Sequence, residues 1–132
     1  MGAPVLVSER PGGKYTNDVT VRGHKQYVDE PLEFNSADLG PSPFEYVCAG
    51  LGGCTTVTLR MYAGRKEWPL EHVSCLVSHE KRDGVNVFTR KITLTGDLDA
   101  DQRARLIEIA GKCPVHKMLS EAGVVETAEV TG

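Results

Sequence analysis

The fold of this chain is decided by residues 41–57, which have the sequence PSPFEYVCAGLGGCTTV. Ser42 is a favoured helix N-cap, and Pro43 suits the first helical turn because it has no N–H group to leave unbonded. Glu45 stands three residues after Ser42, so its carboxylate can bond back to the backbone of the N-cap and complete a capping box. The stretch therefore predicts a helix that begins at Pro43.

The body of this predicted helix is almost entirely apolar. From Phe44 to Val57 the only polar residues are Glu45, Thr55 and Thr56. A helix that is apolar on every side is normally buried on every side, so we expect it to run through the core. Beyond Val57 the pattern becomes amphipathic, and the helix is expected to end before Pro69.

Segments with the character of strands lie on both sides of this helix. Before it, residues 4–9 form a short apolar run that stops at the turn sequence RPGG of residues 10–13. Residues 14–22 and 24–28 follow as strands separated by Gly23, and residues 29–40 show no period and predict a loop. After the helix, residues 70–82 and 85–95 predict two strands joined by a hairpin turn at Asp83-Gly84.

The last part of the chain predicts two helices and a strand. Residues 99–112 predict a helix whose apolar stripe consists of Leu106, Ile107 and Ala110. Cys113 and Pro114 then start a short helix that runs through Ala122 and is closed by Gly123, and residues 124–130 predict a final strand. The chain is therefore predicted to be an α+β domain with antiparallel strands and one central buried helix.

Length and composition limit the class of protein. The chain has 132 residues, a formal net charge of −3 and a hydrophobic fraction of 40%, which predict one globular domain over residues 1–132. Acidic and basic residues are mixed, so no nucleic-acid partner is expected. No apolar run approaches the roughly 18 residues of a membrane span, and the N-terminus lacks the character of a signal peptide. A cytoplasmic location is expected, where cysteines are more often catalytic, metal-binding or core residues than structural disulfides.

Cys54 lies in the apolar part of the predicted helix, after Gly50, Gly52 and Gly53. One interpretation is a core cysteine, since free cysteines are among the most commonly buried residues. The glycines favour another, because each costs up to ~1 kcal/mol against alanine in a helix interior. A helix accepts that cost mainly where another backbone or a ligand comes close. The sequence thus predicts a helix crossing, a substrate slot, or both, beside Cys54.

Cys113 directly precedes Pro114, which places its sulfur at or next to the N-cap of the short helix. A sulfur there faces free backbone N–H groups and the positive end of the helix, which can lower a thiol pKa from ~8.5 toward 7 or below. The alternative is a buried cysteine that happens to precede a proline.

The remaining cysteines, Cys48 and Cys75, are expected to pack in the core. Cys113 and His116 stand three residues apart, as two metal ligands on a helix would. A structural zinc site takes four N or S ligands, usually as two close pairs, and no second pair with that spacing is present. We therefore expect no metal, and we expect His116 on the surface of the short helix.

Two separate motifs resemble one protein family. Residues 40–45, GPSPFE, and residues 52–55, GGCT, closely resemble the central-helix signature of the OsmC/Ohr family, the osmotically inducible protein C-like and organic hydroperoxide reductase-like proteins. Residues 111–119, GKCPVHKML, resemble the second cysteine motif of that family, and residues 29–31, DEP, resemble one of its subgroups. The motifs stand in the order of the family, and the resemblance covers essentially the whole chain.

The resemblance implies an OsmC-like fold in an intertwined homodimer, with the two central helices packed together and the active sites near the interface. It implies a thiol peroxidase that reduces organic hydroperoxides to alcohols. The cysteine matching Cys54 attacks the peroxide and becomes a sulfenic acid, and the one matching Cys113 condenses with it to a disulfide. A dithiol, typically a lipoyl group on a protein, recycles the enzyme, and no cofactor is implied.

Family enzymes lower the pKa of the attacking cysteine with an arginine that is held by a glutamate. Glu45 is the candidate glutamate, although the capping box explains it equally well. Residues 29–40 contain no arginine, so Arg10 and Arg22 become the candidates for the cation without standing in a matching motif. A thiol in apolar surroundings without a cation has a raised pKa. The alternative function is therefore a catalytically quiet dimer that binds an apolar ligand or senses redox state.

Overall fold

The computed structural model describes residues 2–121 and 123–130, which fall into two compact units. The first unit extends to residue 49 and the second begins at residue 50. The helix predicted from residues 41–57 is present as α1, which spans Pro43–Lys66 and so contributes residues to both units. That residues 1–132 act as a single domain stays a prediction.

The first unit is built on a three-stranded antiparallel sheet. Its strands are β1 (Leu6–Glu9), β2 (Asn17–Val21) and β3 (His24–Val28), which lie in that order. Arg22 and Gly23 turn the chain between β2 and β3 with φ values of 48° and 82°. Two successive residues with positive φ match the right-handed twist of a tight hairpin. The strands predicted ahead of the helix are confirmed.

One buried carboxylate organises the segment between β3 and α1. Asp29 is 1% exposed and accepts hydrogen bonds from Thr16 Oγ1 at 2.8 Å, from Leu39 N at 3.0 Å and from the hydroxyl group of Ser36. Glu30 N adds a fourth bond at 2.7 Å. Burial raises the pKa of Asp29, but these bonds outweigh it and hold the pKa at about 2. The segment that shows no period in the sequence is thus fixed by a single side chain.

The second unit contains residues 50–66 of α1 and the elements that pack against one side of them. Its elements are β4 (Leu70–Arg82), β5 (Val85–Gly96), α2 (Ala100–Ala110) and α3 (Pro114–Ser120). β4 and β5 pair antiparallel along their whole length and are joined at Asp83 and Gly84, as predicted. The inner face of β4 carries Val73, Cys75 and Val77, which are half-buried.

The core of this unit is formed by Leu59 and Ala63 of α1 together with Leu70, Leu98, Leu106, Ile109 and Ala110. The predicted stripe of α2 is right at Leu106 and Ala110 but wrong at Ile107, which is 51% exposed. Ile109 takes that place and is 4% exposed. A helix turns by about 100° per residue, so residues 106, 109 and 110 share a face that residue 107 leaves.

The expectation that α1 is buried on every side is wrong for the described chain. Its buried residues, Leu51, Gly52, Thr55, Leu59 and Ala63, lie on one side only. Val57 and Met61, on the other side, are 58% and 59% exposed. The residues that cover α1 in the second unit come from β4, β5 and α2, and these elements reach only one side of the helix.

The strand predicted for residues 124–130 is also wrong for the described chain. These residues have no regular structure, and Val124, Val125 and Val130 are 87%, 91% and 94% exposed. A strand exists only as a member of a ladder, and none of the described strands pairs with this segment. The predicted end of the short helix at Ala122 lies outside the described residues. No helix in the described ranges has the length and apolar character needed to cross a membrane.

Candidate functional site

Two cysteines that are distant in the sequence meet in the second unit. Cys54 projects from α1 and is half-buried, whereas Cys113 caps α3 and is 0% exposed. The thiol of Cys54 donates a hydrogen bond to the sulfur of Cys113. The fold thus brings together the two residues that the sequence singles out for thiol chemistry.

Cys113 lies at the N-cap of α3, as predicted, and its sulfur accepts a hydrogen bond from His116 N at 3.4 Å. Burial raises the pKa of the Cys113 thiol, because an apolar environment disfavours the charged form. The hydrogen bonds from Cys54 and from the backbone N–H groups of His116 and Val115 outweigh burial, so the pKa of Cys113 lies below that of an ordinary thiol. Of the two thiols, Cys113 is therefore the one that ionises first.

Cys54 shows the opposite shift. Burial raises its pKa, and the hydrogen bond that its thiol donates to Cys113 raises it further. Bonds from Val115 N–H and from the hydroxyl group of Thr58 act in the other direction without overcoming these effects. Once the pair has lost one proton, the remaining proton is consequently on Cys54.

A guanidinium group that the sequence analysis missed lies beside this pair. Arg90 of β5 donates from Nη1 to Thr55 Oγ1 at 3.0 Å and to the carbonyl oxygen of Ala110 at 2.9 Å. The signal for it was present in the sequence, because residue 90 is in phase with the inward-facing Phe88 and Ile92 on the same strand. A charged residue in an apolar alternation needs a polar partner, and Thr55 is one.

The candidates for the cation, Arg10 and Arg22, lie in the first unit. Arg10 Nη2 donates to Asp18 Oδ1 and to the Tyr27 hydroxyl group, both at 3.0 Å. Arg22 forms the turn between β2 and β3 with a φ of 48°. A role of either arginine at Cys54 stays a prediction.

His116 is not the surface residue that the sequence analysis expects. It is half-buried, and its Nδ1 atom lies 2.7 Å from Arg90 Nη2. A guanidinium group has only donors, so Nδ1 is the acceptor and the ring proton is on Nε2. Across residues 2–121 and 123–130, no three or more His, Cys, Asp and Glu side chains are grouped to hold a metal ion.

The other predicted residues lie as follows. Cys75 is on the inner face of β4; burial raises its pKa, and the charge of Arg90 opposes this. Cys48 is half-buried, and burial followed by the charge of Glu45 raises its pKa. Glu45 forms the predicted capping box, since Ser42 N donates to its Oε1 atom at 2.7 Å and Glu45 N contacts Ser42 Oγ at 3.4 Å. A role of Glu45 at Cys54 stays a prediction.

The order in which the thiols lose their protons tests this geometry. We expect the first thiolate of the reduced protein to form on Cys113, at a lower pH than for an ordinary thiol. In Cys54→Ala the pKa of Cys113 should rise, because Cys113 loses the hydrogen bond from Cys54. In Cys113→Ala the pKa of Cys54 should fall, because a neighbouring negative charge is removed. Ultraviolet absorbance of the thiolate, followed against pH, measures both shifts.

Cys48→Ala is the matched control, and it should leave the first titration step where it is in the wild type. A first step that survives unchanged in Cys113→Ala but disappears in Cys54→Ala would contradict the assignment of the charge.

Comparison with solved structures finds the same fold in proteins of one family. The OsmC-like protein from Mycoplasma pneumoniae gives a TM-score of 0.77 at 14% identity, covering 91% of this chain and 88% of that chain. The organic hydroperoxide resistance protein OhrB of Bacillus subtilis gives 0.61 at 21% identity, covering 89% of each chain. The organic hydroperoxide resistance protein OsmC from Legionella pneumophila gives 0.59 at 21% identity, covering 86% of this chain and 87% of that chain.

At these identities the similarity shows the fold. Comparison with curated proteins gives no match. The family model described as OsmC-like protein matches residues 35–128, which include α1, both central cysteines and α3. This chain belongs to the OsmC-like protein family.

Proposed function

We propose that this protein is a thiol peroxidase that reduces organic hydroperoxides to alcohols with Cys54 and Cys113. The observation that carries the proposal is the hydrogen bond between the two sulfurs, which lowers the pKa of Cys113. Membership of the OsmC-like family supports the reaction class, since similar structures bear the name of organic hydroperoxide resistance proteins.

Access divides the roles between the two cysteines. Cys113 is 0% exposed, so a peroxide that arrives from solvent meets the half-buried Cys54 first. Cys54 carries the shared proton, and only a thiolate is a good nucleophile. The hydrogen bond allows Cys54 to become a thiolate, because the Cys54 proton can pass along it to the Cys113 sulfur as attack begins.

The first step then balances within the site. The Cys54 thiolate attacks the terminal oxygen of the hydroperoxide, an S–O bond forms and the O–O bond breaks. The departing alkoxide takes the proton that Cys113 holds and leaves as an alcohol. Cys54 is now a sulfenic acid, and Cys113 is a thiolate again.

In the second step the Cys113 thiolate attacks the sulfur of the Cys54 sulfenic acid. An S–S bond forms, and the leaving hydroxide is protonated to water. An external dithiol opens the disulfide at the accessible Cys54 sulfur, and Cys113 leaves as the thiolate. The lowered pKa of Cys113 makes it the better leaving group of the two.

A role for Glu45, and for an arginine that it would hold, is part of this proposal only because of the family resemblance. In the family pattern a glutamate holds an arginine over the attacking sulfur, and Glu45 is the residue that matches it. The bonds to Ser42 lower the pKa of the Glu45 carboxyl group, so it is ionised and able to hold an arginine at neutral pH.

We further propose that the protein acts as a homodimer that packs on α1. Gly50 and Gly53 have nothing within 4 Å of the position that a Cβ atom would take, and they share one side of the helix with Val57 and Met61. Gly52 differs, since a Cβ atom there would lie 3.2 Å from Val77 Cγ2. A glycine is therefore needed at residue 52 because α1 approaches β4 closely there. Small residues next to exposed apolar ones let two helices approach closely.

The dimer is tested with Met61→Glu, which places a charge in the middle of the proposed contact. Sedimentation should show a dimer for the wild type and a monomer for this variant, because a buried unpaired carboxylate is costly. Ile107→Glu introduces the same charge at an exposed position of α2, and this variant should remain a dimer. A monomeric wild type, or a dimer that Met61→Glu leaves intact, would contradict the proposal.

Turnover with an organic hydroperoxide and a dithiol tests the peroxidase. With cumene hydroperoxide and dihydrolipoamide, we expect catalytic consumption of the peroxide, which Cys54→Ser reduces by at least about a hundredfold because the nucleophile is gone. Cys113→Ser should stop recycling through the disulfide and let Cys54 oxidise beyond the sulfenic acid. Cys48→Ser should keep the wild-type rate. Equal slow rates for the wild type and Cys54→Ser would favour the catalytically quiet dimer instead.

A further inference from the structure

A polar cavity lies beside the cysteine pair, and the proposed reaction does not use it. The cavity has a volume of about 270 Å³ and is lined by the polar residues Asn86, Arg90, His116 and Ser120 and by apolar residues that include Leu51 and Leu119. All of these residues belong to the second unit.

The cavity shares two residues with the surroundings of the cysteine pair. Arg90 bonds Thr55, the residue after Cys54 on α1, and the backbone N–H of His116 bonds the sulfur of Cys113. Among the described residues the lining includes neither cysteine, so a ligand in the cavity contacts the residues around the pair and not the sulfurs themselves.

Two of the polar residues of the cavity, Arg90 and His116, offer hydrogen-bond donors, whereas Asn86 Oδ1 bonds His79 and Ser120 Oγ bonds the carbonyl oxygen of His116. Arg90 has five N–H groups, and in the part of the chain that the structure describes three of them meet Thr55, Ala110 and His116. The other two are left for a further acceptor. His116 accepts at Nδ1 and so presents an N–H group at Nε2.

The charge of the cavity is unbalanced. The residues that line it include no acid, and all three acceptors of Arg90 are neutral groups. In the ion pairs found among residues 2–121 and 123–130, Arg90 does not take part. Arg90 is half-buried, and a cation in that position is usually paired with an anion.

We propose that this cavity binds the carboxylate end of an organic ligand whose apolar chain packs on the apolar residues of the lining. A carboxylate offers two oxygens in a plane, which matches two N–H groups of a guanidinium. A volume of about 270 Å³ is below the usual range of roughly 300–1,000 Å³ for a whole ligand, so the cavity holds one end of it. That the ligand is the hydroperoxide or the thiol reductant rests on the proposed function; the carboxylate site itself does not.

Binding of an unreactive pair of ligands tests the site without any turnover. Octanoate and octanamide have the same chain and differ in charge, and calorimetry on the reduced protein gives the Kd of each. We expect octanoate to bind at least about tenfold more tightly in the wild type, and Arg90→Gln to remove the difference. Lys91→Gln removes the same charge at the adjacent exposed position of β5, and this variant should still bind octanoate more tightly than octanamide.

Equal Kd values in the wild type, or no binding of octanoate, would overturn the proposal. The comparison of octanoate with octanamide in the wild type needs no variant, so it tests the carboxylate site even if Arg90→Gln fails to fold. His116→Phe removes the Nε2 donor and keeps the ring size, and a loss of preference for octanoate in this variant would support the same site.

Steady-state kinetics then identify the source of the carboxylate. A hydroperoxide that carries a carboxylate is compared with its methyl ester, and dihydrolipoate is compared with dihydrolipoamide. If Arg90→Gln raises KM about tenfold for the acid hydroperoxide alone, the cavity binds the substrate; if it does so for dihydrolipoate alone, the cavity binds the reductant. Unchanged KM values for both acids would overturn its assignment to either reactant. Absence of turnover with every hydroperoxide would overturn the proposed function and leave the octanoate result to stand alone.

Discussion

The hydrogen bond from the Cys54 thiol to the Cys113 sulfur is the interaction on which the proposed chemistry depends. α1 brings one sulfur to it, and the N-cap of α3 brings the other. The sulfur that ionises first is the one that is 0% exposed, and the half-buried sulfur keeps its proton longer. In the proposed reaction, a single proton shift along the bond turns the half-buried sulfur into the nucleophile.

This arrangement works only because the buried charge is compensated. Burial alone raises the pKa of both cysteines, so two sulfurs in an apolar core would remain two thiols. The hydrogen bond from Cys54 and the N–H groups of His116 and Val115 reverse that outcome at Cys113. Arg90 bonds the hydroxyl group of Thr55, the residue after Cys54, so the cation stabilises the surroundings of the pair from β5.

Features with a local signal were predictable from the sequence, and features that depend on distant partners were not. The capping box of Ser42 and Glu45, the hairpin turn at Asp83 and the N-cap position of Cys113 each follow from a few adjacent residues. The position of Arg90 beside the cysteine pair could not be predicted, because its hydrogen-bond partners come from α1, α2 and α3. The exposed side of α1 and the unpaired residues 124–130 have a common explanation in the proposed dimer, whose second copy would supply the missing neighbours.

The most direct test of the sulfur contact is to oxidise the reduced protein with one equivalent of an organic hydroperoxide and map its disulfides by mass spectrometry of unreduced peptides. The account predicts one linked pair of peptides, which contain Cys54 and Cys113, with Cys48 and Cys75 recovered as thiols. Recovery of Cys113 as a free thiol while Cys54 carries oxygen, or a linkage through Cys48 or Cys75 instead, would contradict it.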